Sequence, residues 1–291
     1  MDSARAIPGG AAHGHGAAEP PALPRTEARL AFERRDLVQL ERFETHGLAD
    51  LDDASLMDRV DTKFLVPRAR LADLLRAMRD EYSALEIDGL RSFRYLNDYF
   101  DDASLGFYRA HHAGRLNRFK VRRRTYLDGG GAWLEVKFKN NRGRTLKTRV
   151  RTDPGHGPFS DAEFGFLIGA GVANAAALDE VQTGEYRRVA LASEARGERL
   201  TLDCDLRFES GGGGEDGRAD APAVELGPWV LAELKQARHD GRSPFFGWAR
   251  GRGLRPCAFS KYCMGLYLAG PESLRRNRFH PIARRVDRRR P

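Results

Sequence analysis

The sequence RFKVRRRTY, residues 118–126, decides how the rest of the chain is interpreted. Its side chains alternate with the period of two that is typical of a β-strand, whose successive residues point to opposite faces. One face is basic with a terminal tyrosine: Arg118, Lys120, Arg122, Arg124 and Tyr126. The other face is mixed: Phe119, Val121, Arg123 and Thr125. A polar face that only meets water usually mixes both signs of charge, because like charges on neighbouring strands repel.

Four further segments, 133–139, 146–151, 199–208 and 230–235, alternate in the same way. Across the five predicted strands the polar faces carry these basic residues: Arg118, Lys120, Arg122, Arg124, Lys137, Lys139, Lys147, Arg149, Arg151, Arg199, Arg207 and Lys235. The acids on these faces are fewer: Glu135, Asp203, Asp205 and Glu233. Cations in a narrow space repel strongly unless an anion lies among them. The pattern therefore predicts a sheet that closes around a triphosphate or longer phosphate chain, although the alternation alone also fits an open sheet.

The few acids on the basic faces are candidate metal ligands. Mg²⁺ and Mn²⁺ at phosphate sites are commonly held by one or two carboxylates together with phosphate oxygens. Glu233 is the first choice, because it lies two residues before Lys235 on one face of an otherwise apolar strand. Glu135 is the second choice. The alternative for each acid is an ion pair with a neighbouring cation.

Composition points to an anionic partner without selecting one. Lys and Arg number 49 against 41 Asp and Glu, which gives a formal net charge of +8. Cys204, Cys257 and Cys263 are few and lack metal-ligand spacing, which favours a reducing compartment. No apolar run approaches the roughly 20 residues that span a bilayer, and no signal peptide is recognisable. We therefore expect a cytoplasmic protein without a transmembrane segment; a membrane partner protein and the oligomeric state remain open.

The chain divides into a predicted disordered tail at 1–35, one domain at 36–271 and a basic tail at 272–291. Helical spacing of apolar residues predicts helices over 68–82 and 161–169, and a short helix over 173–179. Residues 260–268 are either a helix or the end of a strand. The glycine-rich segment 210–222 is predicted to be a loop.

Seven short motifs occur in order: Arg59-Val-Asp61-Thr-Lys63-Phe64, Tyr99-Phe100-Asp101, Lys120-Val-Arg122-Arg-Arg124-Thr-Tyr126, Glu135-Val-Lys137, Arg199-Leu-Thr201-Leu-Asp203, Glu233-Leu-Lys235 and Ser260-Lys261-Tyr262. Together they resemble the catalytic domain of the vacuolar transporter chaperone complex. This domain is the polyphosphate polymerase branch of the triphosphate tunnel metalloenzymes. The resemblance spans roughly residues 37–270.

This resemblance implies an α+β fold, a closed antiparallel eight-stranded barrel with helices packed on the outside. It implies metal-dependent transfer of the γ-phosphoryl group of ATP to a growing polyphosphate chain. The implied catalytic phosphate ligands are Lys63, Arg122, Arg124, Lys137, Arg199 and Lys261. A wider set would bind substrate: Lys120, Lys139, Lys147, Arg149, Arg207, Lys235, Tyr126 and Ser260. The metal, Mn²⁺ or Mg²⁺, would be held by Glu233 with Glu135.

The sequence departs from the related cyclase and thiamine triphosphatase branches, because Arg59 to Phe64 stands where those proteins carry a Glu-x-Glu-x-Lys motif. Two alternatives to the polymerase stay open: a triphosphatase that uses the same tunnel, and a non-catalytic module that binds polyphosphate or tripolyphosphate. Nucleic acid is a disfavoured partner, because Tyr126 is the one tyrosine or phenylalanine on the basic faces of the five strands. A phosphate-binding Gly-x-x-x-x-Gly-Lys-Ser/Thr loop is absent from the sequence.

Overall fold

The computed structural model describes residues 34–51, 59–155, 157–211 and 223–287. Nearly all of the predicted tail at 1–35 and of the predicted loop at 210–222 lies outside these ranges.

The described residues form one sheet with a long antiparallel path. The strands are β1 (Thr45–His46), β2 (Val60–Pro67), β3 (Ser83–Leu85), β4 (Phe93–Asp102), β5 (Arg118–Tyr126), β6 (Gly131–Lys139), β7 (Thr145–Thr152), β8 (Leu178–Ser193), β9 (Glu198–Ser210), β10 (Val224–Glu225) and β11 (Trp229–Gln236). Eight of them pair in the order β2-β11-β9-β8-β4-β5-β6-β7, and every neighbouring pair on this path is antiparallel. The short strands β3 and β10 pair with β8 and β9, and β1 is parallel to β3.

Seven helices accompany the described part of the sheet: α1 (Arg34–Leu40), α2 (Leu71–Met78), α3 (Gly106–His112), α4 (Asp161–Gly169), α5 (Pro244–Gly251), α6 (Lys261–Ala269) and α7 (His280–Asp287). The predicted helix over 161–169 is confirmed as α4. Ser160 caps it by accepting a hydrogen bond from the Glu163 amide, and the Glu163 carboxylate returns to the Ser160 amide. The predicted helix over 68–82 is shorter, with a 3₁₀ turn at Arg68–Arg70 before α2.

The α+β class and the eight-stranded antiparallel path agree with the sequence prediction, but a closed barrel is not confirmed. Strands β2 and β7 end the path, and no hydrogen-bonded ladder joins them within the described ranges. The alternation of side chains determines which face each residue occupies, and it carries no information about whether the first and last strands pair.

The two faces of the sheet differ in what covers them. The apolar face packs under α1, α2 and α5 at one end, where Phe64, Leu200 and Leu74 belong to one buried cluster. At the other end it packs under α4, where Val121 and Leu167 belong to another. We call the opposite face the inner face, and its charged members include Lys63, Arg122, Glu135, Asp203 and Glu233.

The expectation that all helices pack on the outside is wrong, because α6 and α7 lie against the inner face. The ring of Tyr262 on α6 stacks on Tyr99 of β4 with 5.3 Å between ring centroids. The predicted basic tail also contains α7 and the 3₁₀ turn before it, whose apolar residues are buried with Trp229: Phe279, Ile282, Ala283 and Val286. Their spacing of i, i+3, i+4 and i+7 is that of an amphipathic helix, and the arginines between them conceal it in the sequence.

A β-bulge in β9 changes which face its last residues occupy. The register against β8 shifts between Glu185 and Arg187, and Asp205 adopts a left-handed φ of 54° at this point. Beyond the bulge Arg207 faces outward, opposite Glu185, and pairs with Glu209 at 2.6 Å. The sequence prediction that Arg207 belongs to the substrate-binding face is therefore wrong. Strict alternation fails here because one extra residue in a strand reverses every side chain after it.

On the apolar side, a buried ion pair fixes α4 to the sheet. The Arg123 guanidinium reaches Glu163 at 3.0 Å, and Thr152 donates to the same carboxylate at 2.6 Å. Both charged side chains are almost completely buried. Removing one member leaves the other charged and without compensation in a low-dielectric surrounding.

We therefore expect Glu163→Ala to lower the free energy of unfolding by about 3 kcal/mol, because Arg123 stays buried without its partner. The matched control is Asp161→Ala on the exposed side of the same helix turn, for which about 0.5 kcal/mol is expected from the lost helix-dipole interaction. Urea unfolding measures both values. Equal losses in the two variants would contradict the anchoring role of the buried pair.

Candidate phosphate-binding site

Four cations meet at the middle of the inner face. Lys120, Arg122 and Arg124 project from β5, and Lys137 of β6 lies opposite Lys120 in the register. Burial lowers the pKa of Lys120 to about 8, with further lowering by Arg122 and Lys63. Burial, followed by Arg122 and Lys120, holds the pKa of Lys137 well below its usual value. Within the described residues no carboxylate lies at ion-pair distance from either lysine. The cluster is therefore electrostatically prepared for an anion.

The short segment 257–260 reaches both β2 and β5, which shows that the sheet is curled. The Cys257 amide donates to the Lys63 carbonyl at 2.8 Å, and Lys120 Nζ donates to Ser260 at 3.0 Å. Strand β2, which carries Lys63, is five strand spacings from β5 along the path. In a flat sheet, spacings of about 4.8 Å would keep the two strands roughly 24 Å apart. Curling brings β2 and β5 towards each other across the inner face, so cations from distant strands share one space.

Glu135 is a structural counter-ion within this cluster. Its Oε1 lies 2.7 Å from Lys147 Nζ, and its Oε2 accepts from Arg122 Nε at 2.8 Å. Burial alone would raise the pKa of Glu135, but Arg122, Arg124 and Lys147 hold it well below the usual range. Because cations occupy both oxygens, Glu135 does not fit the predicted role of a metal ligand.

A second internal ion pair joins β8, β9 and α6. Arg188 donates to Asp203 from Nε at 2.6 Å and from Nη2 at 2.9 Å, and Lys261 donates to the same carboxylate. Burial would raise the pKa of Asp203, but Arg188 and Lys261 lower it to about 2. The Lys261 ammonium also lies 4.4 Å from the centroid of the Tyr186 ring. Lys261 therefore reaches the inner face already paired with a carboxylate.

Glu233 lies between two lysines on neighbouring positions of the inner face. Lys63 Nζ is 2.8 Å from its Oε1, and Lys235 Nζ is 3.6 Å from its Oε2. Burial would raise the pKa of Glu233, but Lys235 and Lys63 hold it well below the usual range.

Among the described carboxylates of the inner face, Glu233 alone is suited to bind a divalent metal, as a single protein ligand. No group of three His, Cys, Asp or Glu side chains with metal-binding geometry exists among the residues that the structure describes. Glu233 can still serve as a single carboxylate ligand, because its Oε2 is held only loosely by Lys235 and the side chain is partly exposed. Mg²⁺ and Mn²⁺ at such sites take their remaining ligands from phosphate oxygens and water.

The remaining predicted residues surround this centre. Ser260 caps α6 and accepts a hydrogen bond from Lys120 Nζ at 3.0 Å. Arg149 stacks on Trp133 at 4.4 Å, and Tyr126 lies 5.0 Å from the Tyr95 ring. Two more cations occupy register positions towards the ends of the face: Lys139 opposite Arg118, and Arg199 opposite Lys235.

The sequence prediction included Tyr99 of β4 in one of its motifs, but it missed Tyr95 and the residues that β8 contributes. Tyr95, Tyr99 and Tyr186 lie on the inner face, as does Arg188. The detectable signal for Arg188 is its alternation with Val189 and Leu191 in β8. These tyrosines are buried, and Tyr95 stacks on Tyr186 at 5.2 Å. They form the wall beneath the cations, and their rings are not exposed for base stacking.

Residues 58–157 match the family model of the VTC domain. The match contains β2 to β7 and with them the central cations Lys63, Lys120, Arg122, Arg124 and Lys137. The resemblance inferred from the sequence motifs is confirmed over this segment. The strands and the helix that carry Arg188, Asp203, Glu233 and Lys261 follow it in the chain.

Several solved structures are similar at low identity. A putative adenylate cyclase from Vibrio parahaemolyticus is 14% identical, with 72% of this chain and 98% of that chain covered and a TM-score of 0.42. A putative adenylyl cyclase from Hippeastrum, described as having a dominant triphosphatase activity, is 17% identical, with 72% and 94% covered and a TM-score of 0.41. A putative adenylate cyclase from Bacillus halodurans is 14% identical, with 70% and 96% covered and a TM-score of 0.41. Comparison with curated proteins found no match.

Among the described helices, none combines the length and the apolar character needed to cross a membrane.

The lowered pKa of Lys120 predicts a pH dependence of anion binding. A bound phosphate raises the pKa of this ammonium, so binding takes up a proton wherever Lys120 is neutral in the free protein. The affinity for tripolyphosphate is therefore expected to fall as pH rises above about 8, by at most about tenfold per pH unit from this group. Calorimetric titrations between pH 7 and 9.5 measure it.

The control is Lys120→Arg, which keeps its charge throughout this range. Its affinity should change less with pH, and its proton uptake, measured in two buffers of different ionisation enthalpy, should be smaller. The same pH profile and proton uptake in both proteins would contradict the assignment.

Proposed function

We propose that this protein is a metal-dependent polyphosphate polymerase that transfers the γ-phosphoryl group of ATP to the end of a polyphosphate chain. The observation that carries the proposal is the excess of positive charge around Lys120 and Lys137, two buried lysines whose pKa values are depressed. A group of cations that lowers the pKa of its own members is stabilised by a multivalent anion. The VTC domain match over residues 58–157 supports a polyphosphate chain as that anion.

In this reaction the protein mainly aligns the phosphate groups and stabilises their negative charge. The γ-phosphorus moves from the β–γ bridging oxygen of ATP to a terminal oxygen of the acceptor chain, and ADP leaves. Arg122 and Arg124 supply guanidinium groups that can hold phosphate oxygens in two-pronged geometry, while Lys120 and Lys137 supply point charges. The negative charge that spreads over the transferred group in the transition state is stabilised by the same cations. No covalent protein intermediate is required.

Glu233 would hold the divalent metal together with phosphate oxygens. A metal bound there would neutralise charge on the phosphate groups next to the transferred phosphorus. Lys63 and Lys235, which flank Glu233, keep its carboxylate ionised over the physiological pH range. Once phosphates enter, these two lysines can contact phosphate oxygens in place of the carboxylate.

One observation favours hydrolysis as a second candidate. Tyr186 accepts a hydrogen bond from Arg124 Nη2 at 3.1 Å. Burial would raise its pKa, but Arg124, Arg188 and Lys261 lower it to about 8. A phenol with that pKa is partly ionised near neutral pH, and its phenolate can accept a proton from an attacking water. Transfer to an ionised phosphate chain has no need of such a base. A triphosphatase using the same inner face would therefore draw on Tyr186.

Incubation of the purified protein with ATP and Mn²⁺ separates these functions. A polymerase accumulates long phosphate chains that a sizing gel resolves, together with ADP. Release of free phosphate without chains would favour the triphosphatase. If the protein forms neither product but binds tripolyphosphate tightly, it is a non-catalytic binding module.

Glu233→Gln is expected to lower turnover at least 100-fold, because the amide is a poor ligand for Mn²⁺ and Mg²⁺. Tripolyphosphate binding without metal should remain within a few-fold of the wild type, since the cations are retained. The matched control is Glu209→Gln on the outward face, which should turn over normally. Full activity of Glu233→Gln would exclude the proposed metal role.

A further inference from the structure

A basic cleft lies outside the inner face, between α3 and the segment that follows α6. Its volume is about 720 Å³, and Arg109 and Arg115 line it on one side, with Arg275 on the other. Its lining within the described residues includes no Asp or Glu. Tyr108 and His112 contribute to the wall, and the Tyr108 hydroxyl donates to the Arg275 carbonyl at 2.9 Å. The two walls are therefore fixed to each other.

The three cleft arginines lack internal counter-ions. Their side chains are exposed, and no salt bridge or side-chain hydrogen bond holds their guanidinium groups within the part of the chain that the structure describes. The hydrogen bonds of Arg115 and Arg275 to other described residues involve backbone atoms: the two carbonyl oxygens accept from Arg118 and Tyr108, and the Arg115 amide donates to the Ala110 carbonyl. In this the cleft differs from the inner face, where Glu135, Asp203 and Glu233 neutralise several cations.

A row of cations connects the cleft with the inner face. Arg118, at the start of β5, donates from Nε to His111 Nδ1 at 2.9 Å and from Nη1 to the Arg115 carbonyl. Arg278 donates to the carbonyl of His112 in the cleft wall at 2.8 Å. Burial lowers the pKa of His111 to about 3, followed by the effects of Lys120, Arg118 and Arg278. His111 therefore lies within the field of the Lys120 site and of the cations beside the cleft at once.

We propose that this cleft is a second anion-binding site, which holds the distal part of a polyphosphate chain whose end lies among Lys120, Arg122 and Lys137. The inference rests on the proposed function and adds a length requirement to it. A triphosphate is held by the inner face alone. A longer chain extends past Arg118 and gains the charges of Arg109, Arg115 and Arg275. The protein then holds a long chain more tightly than a short one, which keeps the growing product bound between successive additions.

The decisive variant is Arg109→Ala/Arg275→Ala, which removes one charge from each wall of the cleft. Both side chains are exposed, and the carbonyl of Arg275 stays available to Tyr108, so the fold should be retained. Binding is measured with tripolyphosphate and with polyphosphate of about 60 phosphates in the same buffer, without ATP. The matched control is Arg70→Ala/Arg76→Ala, which removes two exposed arginines from the side of the sheet covered by α2.

We expect the cleft variant to bind the long chain about tenfold more weakly while its affinity for tripolyphosphate changes less than twofold. The control should bind both probes as the wild type does. Arg109→Lys/Arg275→Lys should restore most of the loss, because the charge is retained.

Equal affinity of the cleft variant and the control for the long chain would overturn the second site. A wild-type protein that binds neither probe would instead refute the proposed function. If single-stranded RNA of the same charge competes as well as polyphosphate, the cleft is a general polyanion surface and the inference is wrong.

Discussion

Repulsion among the cations of the inner face is the constraint on which the rest of the structure depends. Alternation in β5 and β6 directs Lys120, Arg122, Arg124 and Lys137 to one side of the sheet, and curling adds Lys63 from the far end. Burying these charges together costs free energy, and the apolar residues packed around α6 and α7 on that side offset part of it. The apolar face, packed under α1, α2, α4 and α5, supplies the stability that allows the inner face to remain charged.

The internal carboxylates separate the cations of the inner face into two groups: those held in permanent ion pairs and those that can exchange a carboxylate for a phosphate oxygen. Glu135 and Asp203 are each held by two cations and keep the strands and α6 in place. Glu233 is more loosely held, so its lysines can exchange a carboxylate for a phosphate oxygen. Lys120 and Lys137 have no such partner among the described side chains, and they mark where the added anion is needed. The cleft resembles this part of the inner face, because its lining contains three arginines and no carboxylate among the described residues.

Much of this arrangement follows from the sequence, and the exceptions have physical causes. Local alternation predicts β5, β6, β7 and most of β9, because strand side chains obey a period of two. It fails at Arg207, where the bulge at Asp205 reverses the faces, and the left-handed conformation there is unusual for a residue other than glycine. The pairing of Lys261 with Asp203 joins residues far apart in the chain, so no local pattern contains it. Closure of the sheet depends on an equally non-local pairing. The helix α7 was not predicted, because its arginines interrupt the apolar pattern in the sequence.

The central claim is that the inner face is destabilised by its own charge and stabilised by a multivalent phosphate. It is tested most directly by the melting temperature of the purified protein in saturating tripolyphosphate, compared with sodium chloride at the same ionic strength. Binding to the folded state alone at 100 times the Kd contributes about 2.7 kcal/mol, which predicts a rise of several degrees over the chloride sample. Equal melting temperatures in tripolyphosphate and in chloride would contradict the account.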